Sequence, residues 1–396
     1  MQRDMIFSAW FILILSMAAV LHCYVFYPLW WRCIGARRPL LPVPPMQEEA
    51  VLPLISVIVV GYNEAACIVR RIVNLQQSDY PADRLEIIIA SDGSDDGSEL
   101  LAAEVAAGDV RIQVRHFAER RGKVRVLNEV CPQAKGSILV LSDANVDFAP
   151  DTLRCLVARF QDANVACVCG KLCFRTREGE AHTQSEGIYW KLETWLKQHE
   201  GGRGVLLGAN GANYALRREL WTGCPPEIVV EDLFVPLQLL MQGWSVVFEP
   251  RALAYEDLPP ALADEFGRRA RIGAGDYQIL ARCLALLHPA RGLAAWVFFS
   301  HKVLRWVAPF FMLSAMAAGL ALLVLGAPGA LLVAAAGLGV LLLTGVGFSS
   351  LRLPGALGRL AAVSAYFMTM NAALLLGCLR WLRGGQQTTW KRTRRA

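Results

Sequence analysis

From Met5 to Trp31 the chain carries no Asp, Glu, Lys or Arg. That exceeds the ~20 apolar residues a helix needs to cross the hydrocarbon core of a bilayer. A secretory signal peptide is the competing reading. It is set aside because the run is too long and no small-residue cleavage site follows it. Aromatic residues crowd the exit (Tyr24, Phe26, Tyr27, Trp30, Trp31), as at a membrane–water interface. Arg32, Arg37 and Arg38 come next, so by the positive-inside rule this end faces the cytosol. Whatever follows must therefore fold beside a membrane.

The remainder fits that constraint. Of 396 residues, 55% are hydrophobic and only 19% charged, too apolar for an ordinary soluble enzyme. The excess is uneven. A cytosolic domain over residues 50–276 has normal charge density, and the segments 303–325, 329–348 and 360–382 read as three further spans. Between them, 281–302 mixes Arg282, His288, Arg291, His301 and Lys302 with Trp296, Phe298 and Phe299. That mixture predicts a helix lying in the headgroup plane, with an ordinary amphipathic surface helix as the alternative. One span before the domain and three after it put the carboxyl end outside. The basic tail 383–396, with Arg383, Lys391, Arg392, Arg394 and Arg395, favours the inside, so the two signals conflict.

Eleven cysteines without a CxxC pair fit a reduced cytosolic domain. Cys167 and Cys169 in "CVCGKLCF" read as one face of a buried strand, since their spacing does not suit zinc. The net charge of +6 sits largely on the membrane flanks and tail, so no nucleic-acid partner is inferred.

Inside the domain, strand and helix patterns alternate. "LISVIVV" (54–60), "LEIIIA" (85–90), "VRIQVRH" (110–116), "SILVLS" (137–142) and "VACVCG" (165–170) read as strands, with helical stretches between. Such alternation predicts an α/β fold with a mostly parallel, Rossmann-like sheet, whose ligands bind beyond the carboxyl ends of the strands. The loops there are 61–64 (Gly-Tyr-Asn-Glu), 91–98 ("SDGSDDGS") and 142–147 ("SDANVD"). "SDGSDDGS" alone reads equally as a solvated turn. Three acidic loops in register repel one another unless a cation or hydrogen-bonding ligand joins them. Oxygen ligands of this kind suit Mg²⁺ or Mn²⁺, whose usual companion is phosphate. Arg121 and Lys123 stand ready for a diphosphate. "HTQSEGIYWKLETWLKQHE" (182–200) reads as an amphipathic helix whose Tyr189, Trp190 and Trp195 suit acceptor contact, a membrane face or core packing alike.

In order and spacing, "VIVVGYNE", "ASDGSDDGS", "RGKVRVLN", "LSDANVDF", "LLGANGANYALRRE", "VEDLFVPLQL" and "RRARIGAGDYQ" resemble the membrane-bound, inverting family 2 glycosyltransferases, from about Pro53 to Asp276. These are relatives of the cellulose, hyaluronan, chitin-oligosaccharide and poly-N-acetylglucosamine synthases. The resemblance implies a GT-A fold plus an α-helical transmembrane region, in the bacterial inner membrane. It implies a UDP-sugar donor and a saccharide or lipid-linked acceptor, with export proteins as a further class of partner. Tyr62, Asn63 and Glu64 would line the nucleotide pocket, with Asp92 accepting from the uracil and Lys123 beside the phosphates. Asp143 and Asn145 occupy the Asp-x-Asp metal position. Asp232 matches the general base, in the pair Glu231-Asp232, which also suits a plain helix start. Gly208, Ala209 and Asn210 match the acceptor loop.

The chain departs from the family at one motif. Processive synthases carry Gln-x-x-Arg-Trp where this sequence reads Arg268-Arg269-Ala270-Arg271-Ile272. Arg271 matches the arginine that faces the diphosphate, while Arg268 and Ile272 replace the Gln and the Trp. Losing the Trp that stacks on acceptor sugar argues for a single addition to a lipid-linked acceptor, as the alternative to polymer synthesis. An arginine cluster before a membrane helix also suits anionic headgroups.

Overall fold

The computed structural model describes residues 1–33, 35–37, 40–46, 48, 51–175, 183–257, 262–349 and 353–384, with the side chains of 36, 183–189 and 262–265 left aside. Tyr189 and the tail beyond 384 thus lie outside what is described.

An eight-stranded sheet organises the middle of the chain. Strands β1 (Ile55–Gly61), β2 (Leu85–Asp92), β3 (Ile112–Phe117) and β4 (Ile138–Ser142) run parallel, with β1 between β2 and β4. β5 (Val146–Phe148), β6 (Val165–Arg175), β7 (Tyr214–Arg217) and β8 (Ser245–Asp257) complete the order β3-β2-β1-β4-β7-β6-β8-β5. β7 is antiparallel to both neighbours and β5 is antiparallel to β8, so the sheet is mixed but mostly parallel.

β1 shows why a continuous apolar run becomes this strand. Alternate side chains point to opposite faces. Val57 and Val59 join one apolar cluster, with Ile72 and Leu75 of helix α2 (Ile68–Gln76), and Ile58 and Val60 join the other, with Val124 and Leu127 of helix α4 (Lys123–Gln133). Burying each such side chain contributes about 1.5–3 kcal/mol. Helix α3 (Ser98–Ala106) follows β2, and α5 (Thr152–Ala158) packs on β8. Helices α6 (Thr183–Gly201), α7 (Glu231–Met241) and α8 (Leu262–Arg282) bring the remaining site residues.

Among the described residues four helices are long and apolar enough to cross a membrane: α1 (Gln2–Cys33), α9 (Leu293–Val324), α10 (Ala330–Phe348) and α11 (Gly355–Leu382). α1 and α9 pack lengthwise in opposite directions. At one end the Gln2 side chain donates to the Leu325 carbonyl, and Leu13 and Leu322 share an apolar cluster. At the other end each helix contains a π-helical turn, His22–Phe26 in α1 and Phe298–Val303 in α9. There His22 Nε2 meets Ser300 Oγ at 3.0 Å. This end is continuous with the sheet's own core, because Tyr27, Trp31, Val297, Phe298, Trp306 and Cys378 belong to the cluster that holds Ile58 and Leu141.

Segment 281–302, expected as one helix in the headgroup plane, is divided. α8 ends at Arg282, two 3-10 turns follow (Leu284–Leu287, Pro289–Arg291), and α9 starts at Leu293 and runs unbroken into the expected span. Gly292 takes a positive φ of 55°, which turns the chain. His301, Lys302 and Arg305 consequently meet carboxylates of α6 instead of headgroups.

Candidate active site

β2 and β4 flank β1, and their carboxyl-terminal loops meet over it. The chain steps from β1 to β2 and β3 on one side, then back to β4 on the other. That reversal opens a crevice at the strand ends.

The first two loops are stitched together. Asn63 Nδ2 donates to Asp95 Oδ1 at 2.7 Å, and the Asp95 amide returns a bond to Asn63 Oδ1 at 3.0 Å. Backbone amides of Asn63, Glu64 and Ala65 donate to Ser94, Ser98 and Asp96. Asn63 sits at φ 56°, a left-handed conformation rare outside glycine. The Glu64 side chain is buried and accepts from Cys67 Sγ. Asp92 is fully buried, and its two oxygens accept from the amides of Arg121 and Gly122 at 2.7 and 2.9 Å. Much of the acidity of "SDGSDDGS" is therefore met by the protein's own donors. Tyr62 lies flat beneath the Arg120 guanidinium, 3.6 Å from the ring centre.

The third loop stays more open. Asp143 is 39% exposed at its side chain, and its Oδ1 lies 2.9 Å from Lys123 Nζ. Asn145 Nδ2 donates to Glu256 Oε1 at 2.7 Å, and only an amide nitrogen can donate to a carboxylate, so Asn145 Oδ1 is identified as the other atom. Asp147 is consumed by Arg175 at 2.7 Å and Arg70 at 3.3 Å. Among the described residues no group of three His, Cys, Asp or Glu side chains forms a metal cage. One carboxylate and one amide oxygen are a partial set, which fits Mg²⁺ or Mn²⁺ that take the rest of their shell from phosphate and water.

Lys123 also reaches Glu231, at 2.7 Å, and so joins the β4 loop to the start of α7. Burial alone would push this ammonium down, but the carboxylates of Asp143 and Glu231 more than offset it and hold it above the usual lysine range. Asp232, the next residue, accepts from the Gly211 amide at 2.7 Å on Oδ2. Burial and the neighbouring Glu231 push its carboxyl up to about 6, with Lys123 opposing. Residues 208–210, expected to meet the acceptor, sit against it. The Ala209 amide donates to the Asp232 carbonyl at 2.8 Å, and Gly208 packs so closely on Leu233 that an added Cβ would stand 3.0 Å from Leu233 Cδ1. Asn210 Nδ2 donates to the Gly170 carbonyl at 3.2 Å.

α8 brings Arg271 within electrostatic reach of Glu231 and Asp232. Arg271 is pushed down by burial, with Glu231 and Asp232 opposing and Arg268 adding to the depression. The structure thus gathers Lys123, Asp143, Glu231, Asp232, Arg271 and the 208–210 loop. Tyr62, Asn63, Glu64 and Asp92 lie further along the same strand ends. Sequence reasoning missed Gly211, whose amide donates to Asp232, and Glu256, which orients Asn145. It also missed Asp276 on α8, whose carboxyl burial raises to about 7. Glycine-211 follows the quoted Gly208-Ala209-Asn210 directly, and that adjacency was the one available signal.

Residues 56–220 match the model of the family described as Glycosyl transferase family 2. The β-monoglucosyldiacylglycerol synthase of Trichormus variabilis is 28% identical over 239 residues, covering 59% of this chain and 51% of that protein. The poly-β-1,6-N-acetyl-D-glucosamine synthase of Staphylococcus aureus is 23% identical over 232 residues, covering 58% of this chain and 56% of the relative. The chain spans about half the length of the curated relatives it matches. Among solved structures, a mannosyltransferase of Pyrobaculum calidifontis in complex with GDP-Man and Mn²⁺ superposes with a TM-score of 0.72 at 23% identity, over 94% of this chain and 99% of the other. That likeness shows a shared GT-A fold.

Proposed function

We infer that this chain, whose residues 56–220 form a family 2 glycosyltransferase domain, moves a sugar from a UDP-sugar to a saccharide or lipid acceptor at a bacterial inner membrane, with inversion. One observation carries the reading. Lys123 links Asp143, at the donor end of the crevice, to Glu231, and the next carboxylate, Asp232, is bound by the acceptor loop.

The residues divide the chemistry. An acceptor hydroxyl is a poor nucleophile. Asp232, titrating near 6, takes its proton as the hydroxyl oxygen bonds to the anomeric carbon. The bond from that carbon to the diphosphate breaks on the opposite face, so an α-linked donor gives a β-linked product. Lys123 and Arg271 bring positive charge to the departing diphosphate, with Arg268 behind them. Asp143 and the Asn145 amide oxygen would hold Mg²⁺ or Mn²⁺, which when bound neutralises diphosphate charge. Tyr62, Asn63, Glu64 and Asp92 frame the nucleotide.

Relatives named for glycolipid synthesis and for polymer synthesis both match. Addition of a single sugar to a membrane lipid is the second reading. It is favoured by Ile272 standing where polymer synthases carry a stacking Trp. Product length separates the two.

The helices support an uneven number of crossings. α1 begins at the end of the bundle away from the domain and finishes beside it, and α9 runs back. α10 starts at the distant end, against Trp10, yet α11 finishes with Cys378 in the domain's core and Trp381 stacked on Tyr277. Four apolar helices then make three net crossings, and Arg383 leaves on the domain's side. On this reading the crossings and the basic charge of the tail agree. The experiment for the function is UDP release by the purified chain from a panel of UDP-sugars with Mn²⁺. No turnover of any donor, with Asp232→Asn behaving like the parent, defeats the reading.

A further inference from the structure

We propose that Lys197 on α6 is a positioning residue for the transfer, which straps the acceptor loop 208–210 against Asp232 and ties that loop to the membrane helices. The inference rests on the reading of Asp232 as the base.

Lys197 is 9% exposed. Its ammonium donates to the Ala209 carbonyl at 3.3 Å and to Asn210 Oδ1 at 2.5 Å. A buried ammonium persists only where partners compensate it, and both partners here come from one short loop. The same loop holds the base from its other side, through the Ala209 and Gly211 amides. Lys197, loop and Asp232 form one continuous chain of contacts. Without the ammonium, two acceptors in the loop lose their donor, and the backbone that sets the Asp232 side chain loosens.

α6 itself is fixed. Glu193, Lys197 and Glu200 fall at i, i+4 and i+7, on one helix face. Glu193 accepts from Arg305 at 3.1 Å, with Lys302 and His301 each at 3.4 Å. Glu200 accepts from the Tyr27 hydroxyl at 2.6 Å and meets His301 Nδ1 at 2.6 Å. Both carboxylates and His301 are buried. This joint sets the height and rotation of α6 against α1 and α9, and hence the place of Lys197. A lipid acceptor entering from the membrane would meet a loop already registered to the helices it passes.

The ammonium also acts on the base through space. Asp232 is faced by Glu231 on its own helix, Lys123 of α4, Lys197 of α6, and Arg271 and Asp276 of α8. The Tyr214 phenol of β7 and the Cys169 thiol of β6 complete its surroundings. Lys197 favours the ionised form, so its removal raises the pH at which the base becomes available.

The test uses the full chain in nanodiscs of phosphatidylglycerol with diacylglycerol, given UDP-glucose, UDP-galactose and UDP-N-acetylglucosamine with Mn²⁺. Lys197→Met lowers kcat about tenfold, leaves the donor KM in place and moves the acid limb of kcat/KM to higher pH. Lys197→Arg recovers part of kcat and the parent's limb. Amide exchange at 209 and 211 rises about tenfold in Lys197→Met, a readout that needs no turnover. Asn210→Ala, which leaves the lysine but removes one partner, gives a smaller rise and keeps the test open if the Met variant does not fold. Unchanged exchange in both variants, or a Lys197→Met chain with the parent's kcat and limb, overturns the proposal. If Asp232→Asn keeps the parent's kcat while exchange rises as expected in Lys197→Met, the reading of the base has failed, and the role in transfer falls with it although the strap is real.

Discussion

Lys123 Nζ lies 2.9 Å from Asp143 Oδ1, so the residue read as the diphosphate's partner neutralises the residue read as the metal's ligand. The same ammonium holds Glu231, next to Asp232. On the proposed reading, donor diphosphate would offer Lys123 a new partner and free Asp143. Ligand exchange at one ammonium would then connect donor binding to the charge around Asp232.

Metal binding should follow from this. In the absence of nucleotide the ammonium repels a divalent ion, and affinity is weak. UDP strengthens it by supplying oxygens. Lys123→Met should raise nucleotide-free Mn²⁺ affinity about tenfold while abolishing the strengthening by UDP, since the acids keep their charge and lose their counter-ion. Electron paramagnetic resonance of free Mn²⁺ reads both numbers. Equal nucleotide-free affinity in parent and variant removes Asp143 as a ligand.

The proposed role of Asp232 sets the expected pH dependence. As a base Asp232 would work as a carboxylate, and its carboxyl is raised to about 6. Activity should therefore be full above that value and fall as pH drops through it. Asp232→Asn should lose ~10²–10⁴-fold in kcat at neutral pH and keep UDP binding. A steady-state kcat/KM profile measures the limb. Because folding raises this carboxyl above its unfolded value, the sign for stability is opposite. The folded state is favoured at low pH and loses that contribution as pH rises through about 6.

Among the described residues Asn63 is the non-glycine residue with a left-handed backbone, at φ 56°, in the loop proposed to line the nucleotide. Asn63→Ala should cost about 1–2 kcal/mol from the left-handed backbone and release Asp95 as well. Donor KM should rise about tenfold with kcat little changed. Asn63→Gly keeps the backbone and loses only the side chain, so it should fall between the two. Calorimetric titration with UDP separates these contributions.

Most of the sheet was legible because strands buried on both faces leave continuous apolar runs, as in "LISVIVV". β5, β7 and β8 were not: three or four residues carry no period to read, and Glu249, Pro250 and Arg251 interrupt the apolar pattern of β8. The residues that gather at the crevice were visible through their motifs, although the roles of Asp95 and Asp96 in stitching the loops were hidden. Composition cannot distinguish an acid that awaits a cation from one already satisfied by backbone amides. The break at Gly292 escaped notice because one positive φ decides it. His301 and Lys302 looked like residues reaching for headgroups, since their partners Glu193 and Glu200 lie on a helix far away in sequence.

The side of the carboxyl end is a separate prediction. Cys378 and Trp381 lie against the domain, so a reporter fused after Arg383 should sit on the cytosolic face. A fusion to a phosphatase active only outside the cytosol should be silent, and one to a fluorescent protein that folds in the cytosol should be bright. The reverse pattern would restore four crossings.

The most direct measurement is the anomeric configuration of the product. The purified chain is incubated with α-linked UDP-sugars, Mn²⁺ and diacylglycerol-containing vesicles, and the transferred sugar is examined by proton NMR. The account predicts stoichiometric UDP and a β-linked sugar, with Asp232→Asn silent. An α-linked product, or a β-linked product formed as fast by Asp232→Asn, would contradict it.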